Sequence, residues 1–347
     1  MKQLRFGIIG VGNITPIHVA AIENTPDAQL VAVATRNKAR GRAFAAQHSA
    51  TWYADYAELL RRDDIDAVAI CTPHDVHATM TIGAATAGKH VLCEKPMARN
   101  IAECDAMIAA CERANVTLGI IFQFRFEPLA QKLKTALDAE KLGHLHWISA
   151  NTIWHRTDEY YASAAWRGSL ESGGGVLINQ AIHTIDLMLW LTGTPSRVTA
   201  KTRTLDHPIE VEDGALALLE YPDARLGLIQ ATTTAYPGYP ERLEFYGSRG
   251  SAVYHKGQGR LEWHLAEPRE DRVDEAAVSS GAARPMDISA NAHIAQFQDF
   301  AAAIREHRAP LVDGHAGRRA VELIEAIYRS AREDAPIAIP FEPSEHL

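Results

Sequence analysis

The sequence predicts an α/β protein in two parts. A doubly wound parallel sheet is expected over residues 1–123, and an α+β domain with a mostly antiparallel sheet over residues 124–347. Three observations predict it. Strand-like apolar runs at 4–9, 30–34, 67–71, 90–93 and 117–122 alternate with helical patterns at 17–23, 39–48, 56–60, 80–87 and 102–115. Alternation at that spacing calls for parallel strands joined by crossover helices. From residue 145 the apolar period shortens towards two, in runs at 145–153, 197–203, 214–221, 226–233, 242–246, 251–254 and 260–264. Turn signals such as Pro222-Asp223 and Lys256-Gly257 separate these runs. The third observation is a glycine-rich turn directly after the first strand.

That first strand is too short and glycine-rich for a secretory leader, and no small-residue cleavage site follows it. It leads into Gly10-Val11-Gly12-Asn13-Ile14-Thr15, which opens a predicted helix. This is the strand–turn–helix context of a Rossmann dinucleotide-binding motif. Gly10 permits the tight turn, Gly12 lets the backbone approach a pyrophosphate, and Asn13 and Ile14 lead into the helix N-terminus. Thr15 replaces the third glycine, whose usual task is close helix–strand packing.

The second strand ends in Thr35-Arg36-Asn37-Lys38, with Arg40 and Arg42 beyond. No carboxylate there grips a ribose diol, whereas Thr35, Arg36 and Lys38 suit a 2′-phosphate, so NADP is favoured over NAD. A competing reading stacks Arg36 on the adenine and leaves Lys38, Arg40 and Arg42 as a solvated helix start. The strand at 67–71 runs into Thr72-Pro73-His74 and then Asp75-Val76-His77. Thr72, Pro73 and His74 follow a strand C-terminus, the edge at which open parallel sheets bind ligands. His77 begins a helix and fits a structural histidine as well as a ligand contact.

The strand at 90–93 ends in Glu94-Lys95-Pro96. On the tripeptide alone, a surface ion pair before a turn proline competes with an active-site element. A lysine at this edge loses hydration, and desolvation lowers a lysine's pKa towards the range useful for proton transfer. In the second domain, helices are expected at 179–191, 290–306 and 317–332, and the charged, alanine-rich stretch 267–284 reads as an exposed loop. A ligand cleft is expected between the domains.

Composition narrows the classes of function. The 347 residues are 47% hydrophobic and 22% charged, with a formal charge of −8. That balance gives no support to nucleic-acid binding or to a polybasic membrane surface. No apolar run approaches the roughly 18 residues of a membrane-spanning helix. Cys71, Cys93, Cys104 and Cys111 form no CxxC spacing, so neither a metal site nor a disulfide framework is expected. A reducing cytoplasm fits.

Gly10-Val11-Gly12-Asn13, Thr72-Pro73-His74-Asp75-Val76-His77 and Ala87-Gly88-Lys89-His90-Val91-Leu92-Cys93-Glu94-Lys95-Pro96 resemble the Gfo/Idh/MocA oxidoreductases. A further block, Gly173-Gly174-Gly175-Val176-Leu177-Ile178-Asn179-Gln180-Ala181-Ile182-His183-Thr184-Ile185-Asp186, resembles the family's other active-site segment. Read on its own, it places Asn179, His183 and Asp186 on one helix face, and its glycines leave room for a ligand or another backbone.

The resemblance implies a Rossmann domain, a C-terminal domain with a large open sheet, and homodimers or homotetramers formed through that sheet. It implies NAD(P)-dependent chemistry on a cyclic sugar, polyol or sugar derivative, with a cis peptide before Pro96. His183 corresponds to the family's catalytic histidine, and Lys95 and His183 would handle the substrate's proton. Which of them is the base stays open. Asn179 stands where the family often has aspartate, and an amide binds or orients substrate but cannot act as a carboxylate base. Glu94, Gln123 and Arg125 match positions near the cofactor, and the Trp166-Arg167 pair matches one that reaches the cofactor or the substrate. Trp154, His155, Arg156, Tyr160, Tyr161 and Tyr236-Pro237-Gly238-Tyr239 are expected pocket walls, with Arg156, Tyr160 and Tyr236 towards substrate. A nucleotide-linked sugar is the alternative substrate, and a cofactor-sensing regulator the alternative outside enzymes.

Overall fold

The computed structural model describes residues 3–164, 166–169, 174–266, 268–276 and 290–341. The chain forms two compact units, Met1–Gln123 with Ala290–Arg318, and Phe124–Ser289 with Arg319–Leu347.

The first unit holds six strands: β1 (Leu4–Ile9), β2 (Ala28–Ala34), β3 (Thr51–Tyr53), β4 (Ala67–Ile70), β5 (His90–Cys93) and β6 (Leu118–Ile120). All pair in parallel, in the order β3-β2-β1-β4-β5-β6. The order reverses between β1 and β4, so the turns after these two strands open at the switch point where this architecture binds dinucleotides. Five helices connect the strands: α1 (Thr15–Glu23), α2 (Lys38–Gln47), α3 (Tyr56–Leu60), α4 (His77–Thr86) and α5 (Ile101–Arg113). All four residues of β4 are buried, as in strands covered on both faces.

Residues 290–318, expected in the second domain, belong to the first unit. Their helix, Asn291–Glu306, lays Phe297 and Phe300 on Phe6 of β1, with ring centroids 5.7 and 6.5 Å apart. Gln296 donates a 2.6 Å hydrogen bond to the Ile120 carbonyl. Burial of this aromatic stripe against the sheet decides where the segment folds, and sequence position gives no hint of it.

The second unit is built on nine strands: β7 (Leu145–Ile153), β8 (Arg197–Arg203), β9 (Gly214–Glu220), β10 (Leu226–Thr232), β11 (Arg242–Gly247), β12 (Gly250–His255), β13 (Arg260–Leu265), β14 (Glu270–Glu275) and β15 (Ile337–Ala338). Their order is β14-β13-β12-β11-β7-β10-β9-β8-β15, antiparallel except for the β7–β10 pair. Strand β14 lies in the stretch expected to be a loop, whose residues 267 and 277–284 fall outside the described ones. It has no apolar period to announce it, and main-chain pairing with β13 together with a 2.7 Å bond from Trp263 Nε1 to Asp274 holds it. The helices Pro128–Asp138 and Asp158–Ala162 were not anticipated either.

The expected helix at 179–191 begins with a π-helical turn, Leu177–Ala181, and continues as an α-helix, Ile182–Thr192. Asp186 on that helix is buried and takes a forked pair of hydrogen bonds from Arg125, at 2.9 and 2.5 Å. Burial pushes the Asp186 carboxyl up from its ordinary range, and the guanidinium opposes that shift. One face of the sheet carries Trp147, Leu216, Leu218, Leu226 and Tyr246, all exposed. Among the described residues no helix is long and apolar enough to cross a membrane.

The buried pair sets an expectation. Asp186→Ala leaves the Arg125 guanidinium uncompensated and should cost about 3–5 kcal/mol in chemical denaturation, whereas the double change Arg125→Met with Asp186→Leu should recover most of it. A single-variant loss below about 1 kcal/mol would contradict this account of the helix anchor.

Candidate active site

In the first unit the turn after β1 is shaped by Gly10 and Thr15. Gly10 has φ +100°, and a side chain there would meet the Cys71 carbonyl at 2.6 Å. Thr15, fully buried, accepts a 2.8 Å hydrogen bond from the Gly12 amide and donates to the Gly10 carbonyl at 3.2 Å. The threonine in the third-glycine position therefore staples the turn with its hydroxyl. A Cβ on Gly12 would meet nothing within 4 Å, so the turn presents bare backbone to open space. Asn13 is exposed and Ile14 caps α1, whose first turn carries no acidic residue. That N-terminus suits a phosphate.

After β2, the Asn37 side chain caps α2 by accepting the Arg40 amide, and Thr35 accepts the Asn37 amide at 3.4 Å. Arg40 reaches back to the Val11 carbonyl at 3.3 Å, and Arg42 stacks on Trp52. Arg36 and Lys38 are exposed, and among the described residues neither forms a salt bridge. These side chains leave a cationic rim beside the glycine turn.

The edges of β4 and β5 are tied together. His77, fully buried, places Nδ1 2.8 Å from the Pro96 carbonyl and Nε2 2.9 Å from the Thr72 carbonyl. Each ring nitrogen thus faces a main-chain carbonyl, and His77 is a strut packed between the two turns; burial depresses its pKa, and the neutral ring donates to only one of the two carbonyls. His74 is buried beside it, with ring centroids 6.0 Å apart, while Pro73 is exposed. Glu94 is buried and accepts from His18 Nε2 at 2.7 Å and from the Lys95 amide at 3.1 Å. Burial acts to raise its pKa, but His18, with His293 and Lys95, outweighs that and holds the carboxyl at about 2. His18, Glu94 and His293 offer ligand atoms within 4.8 Å of one another, a donor set a transition metal could use. Burial pushes the His293 imidazole down to about 4. Lys95 is half-buried, its peptide to Pro96 is cis, and Gln123 is buried with no partner for Oε1.

In the second unit His183 and Asn179 are half-buried on the π-to-α helix, and Phe124 meets the His183 ring edge-on with centroids 4.9 Å apart. Lys256, buried and paired with Glu241 at 2.7 Å, lies over the face of Phe124. The stretch from Asn179 to His183 runs out of the π turn, and Asp186 is committed to Arg125. Tyr160 gathers several candidates: Arg167 stacks on it at 4.1 Å, Arg156 at 5.2 Å, and its hydroxyl accepts from Gln180. Tyr236 is 82% exposed and packs edge-on against His155. The space beside Gly175 is filled by Glu212, whose carboxylate oxygen would lie 2.1 Å from a side chain there. Of the two openings allowed for the glycine run, a neighbouring group fills this one. Sequence reasoning missed His18, Glu212, Lys256 and Tyr328, all of which act through partners distant in the chain.

Residues 4–122 match the family model described as oxidoreductase family, NAD-binding Rossmann fold, and residues 130–253 match that of the GFO/IDH/MocA C-terminal domain. The chain is 32% identical to the uncharacterized oxidoreductase YrbE of Bacillus subtilis (strain 168) over 260 residues, covering 73% of this chain and 74% of that one. It is 29% identical to inositol 2-dehydrogenase of Rhizobium meliloti (strain 1021), over 97% and 99% of the two chains. Among solved structures, the WlbA dehydrogenase from Bordetella pertussis, in complex with NADH and UDP-GlcNAcA, is similar with a TM-score of 0.85 and 31% identity. That match covers 98% of this chain and 100% of the other. The chain belongs to the GFO/IDH/MocA family of NAD(P)-dependent oxidoreductases.

Proposed function

We propose that the chain interconverts a hydroxyl and a carbonyl on a cyclic sugar, polyol or sugar derivative, with Lys95 and His183 handling the proton. Lys95 carries the assignment: it follows β5 on the same sheet edge as the Gly10 turn after β1 and the Thr72 turn after β4. Bound NAD(P) would supply a hydride acceptor or donor at its nicotinamide C4. The bare backbone at Gly12, the acid-free N-terminus of α1 and the buried, unpartnered Gln123 oxygen fit such a group.

In the oxidation direction the substrate's hydroxyl proton passes to Lys95 or His183. The other of the two, with Asn179, orients the oxygen and stabilises the charge that develops on it. Glu94 holds the main chain of Lys95, while Arg156, Tyr160 and Tyr236 bind substrate. Thr35, Arg36 and Lys38 take a 2′-phosphate, making NADP the preferred cofactor. A second reading, a nucleotide-linked or acidic sugar as substrate, is favoured by the guanidiniums of Arg156 and Arg167 gathered at Tyr160. The similarity to a dehydrogenase solved with UDP-GlcNAcA supports the same reading. The exposed apolar face of the second sheet supports a homodimer or homotetramer formed through it, and four buried free cysteines fit a reducing cytoplasm.

Three outcomes test these assignments. Lys95→Ala should lower kcat by about a thousandfold while the Kd for cofactor stays within about threefold, read by single-turnover kinetics and titration calorimetry. Full turnover in that variant would remove Lys95 from the chemistry. Calorimetry should also give a Kd for NADP about tenfold tighter than for NAD, and Arg36→Ala should erase the difference; equal or tighter NAD binding would refute the preference. In sedimentation velocity, Leu216→Lys with Leu218→Lys should yield monomers, and an unchanged oligomer would place the interface elsewhere.

A further inference from the structure

The helix bearing Asn179 and His183 starts inside the second unit, where its first amides have no partners of their own. Two successive amides are nevertheless satisfied. The Val176 amide donates to the Glu212 carbonyl at 3.0 Å, and the Leu177 amide donates to Glu212 Oε1 at 2.9 Å. The Tyr328 hydroxyl lies near the Ile178 amide. That hydroxyl donates to the same Glu212 oxygen at 2.8 Å, closing the set. The Asn179 amide then takes up ordinary helical bonding to the Gly175 carbonyl at 3.0 Å. Glycine at 175 is what lets the carboxyl approach, since any side chain would overlap it.

We infer that Glu212 and Tyr328 are positioning residues, a cap supplied from β9's lead-in and the helix Gly314–Glu333 that fixes where Asn179 and His183 stand. The inference rests on the reading of those two residues as active-site groups. Neither Glu212 nor Tyr328 reaches substrate in this role; both act through the helix end. A negative charge at a helix N-terminus is favourable, and charge-assisted hydrogen bonds are stronger than neutral ones, so the ionised carboxylate grips Leu177 harder than the acid does.

The ionisation falls in a useful range. Burial pushes the Glu212 carboxyl up to about 7, against the opposing pull of the Leu177 amide and the Tyr328 hydroxyl. Asp213, next in the chain, adds to the rise, and its own carboxylate is bound by the amides of Leu205, Asp206 and His207 and by His207 Nδ1. Tyr328 is held far above its ordinary pKa by burial and stays a donor. The cap therefore tightens as pH rises through neutrality. Stability runs the other way. A carboxyl raised from 4.5 to about 7 on folding contributes stability that is full below 4.5 and lost as pH climbs through about 7. Precision at the helix end is gained where the fold gives up stability.

The test follows the Leu177 and Ile178 amide resonances of the protein without cofactor between about pH 6 and 8, beside the kcat profile of the protein with cofactor. The unmodified chain should show both amides shifting with a midpoint near 7, and kcat falling about threefold or more on the acid side. Glu212→Gln keeps an acceptor for Leu177 but cannot ionise. Its amides should not titrate, its kcat should lose that limb, and its melting temperature should rise relative to the unmodified chain as pH increases. Glu212→Ala should lower kcat about tenfold at every pH with KM nearly unchanged, and Glu212→Gln should restore most of that. Amides that do not titrate in the unmodified chain would overturn the inference, as would an acid limb that survives Glu212→Gln. Full turnover in His183→Ala would instead fault the active-site reading, and the amide titration distinguishes the two failures.

Discussion

A buried carboxylate must be paired, and at Glu94 that requirement organises the first unit's functional edge. Glu94 is largely withdrawn from solvent and takes its hydrogen bonds from the His18 ring and the Lys95 amide. Because the carboxyl stays ionised down to about pH 2, it can only accept, and His18 Nε2 must be the donor. One group thereby links α1, which begins at the glycine turn, to the end of β5. His77 extends the link to β4 by spanning the carbonyls of Thr72 and Pro96. The elements that carry the turns expected to meet a dinucleotide are braced against one another before any ligand arrives, which is the preorganisation that catalysis needs.

The second unit solves a related problem differently. Its helix end has no acidic side chain of its own in the first turn, and Glu212 supplies one from 35 residues along the chain, through the close approach that Gly175 allows. Asn179 lies in the π turn that follows and His183 on the α-helix after it, and π turns are frequent at functional sites. An amide at 179 gives this helix a group that can donate and accept but cannot act as a carboxylate base.

Much of the first unit was legible because its strands are buried on both faces and read as continuous apolar runs; β1 and β5 stand where those runs put them. The Gly10 turn, and the Lys95 edge after β5, were legible for the same reason, each being a local feature at a strand end. Strand β3 was too short to carry a period, and β14 is charged along its length, so neither announced itself. The placement of Phe297 and Phe300 on Phe6 depends on contacts nearly 300 residues apart in sequence. His77 was readable as strut or ligand contact, and only the two carbonyls facing its ring show the strut. Glu212 and Lys256 were invisible for a plainer reason: a buried charge is recognised by its partners, and theirs lie on other elements.

The central claim is hydride exchange between nicotinamide and a hydroxyl-bearing sugar or polyol. It is tested most directly by mixing the protein with NADP or NAD and a panel of cyclic sugars, polyols and nucleotide-linked sugars while following the reduced-nicotinamide absorbance band. The account predicts that at least one compound raises that absorbance at a rate proportional to protein concentration, and that deuterium at the reacting carbon slows it. Tight cofactor binding with no reduction by any member of the panel would contradict it.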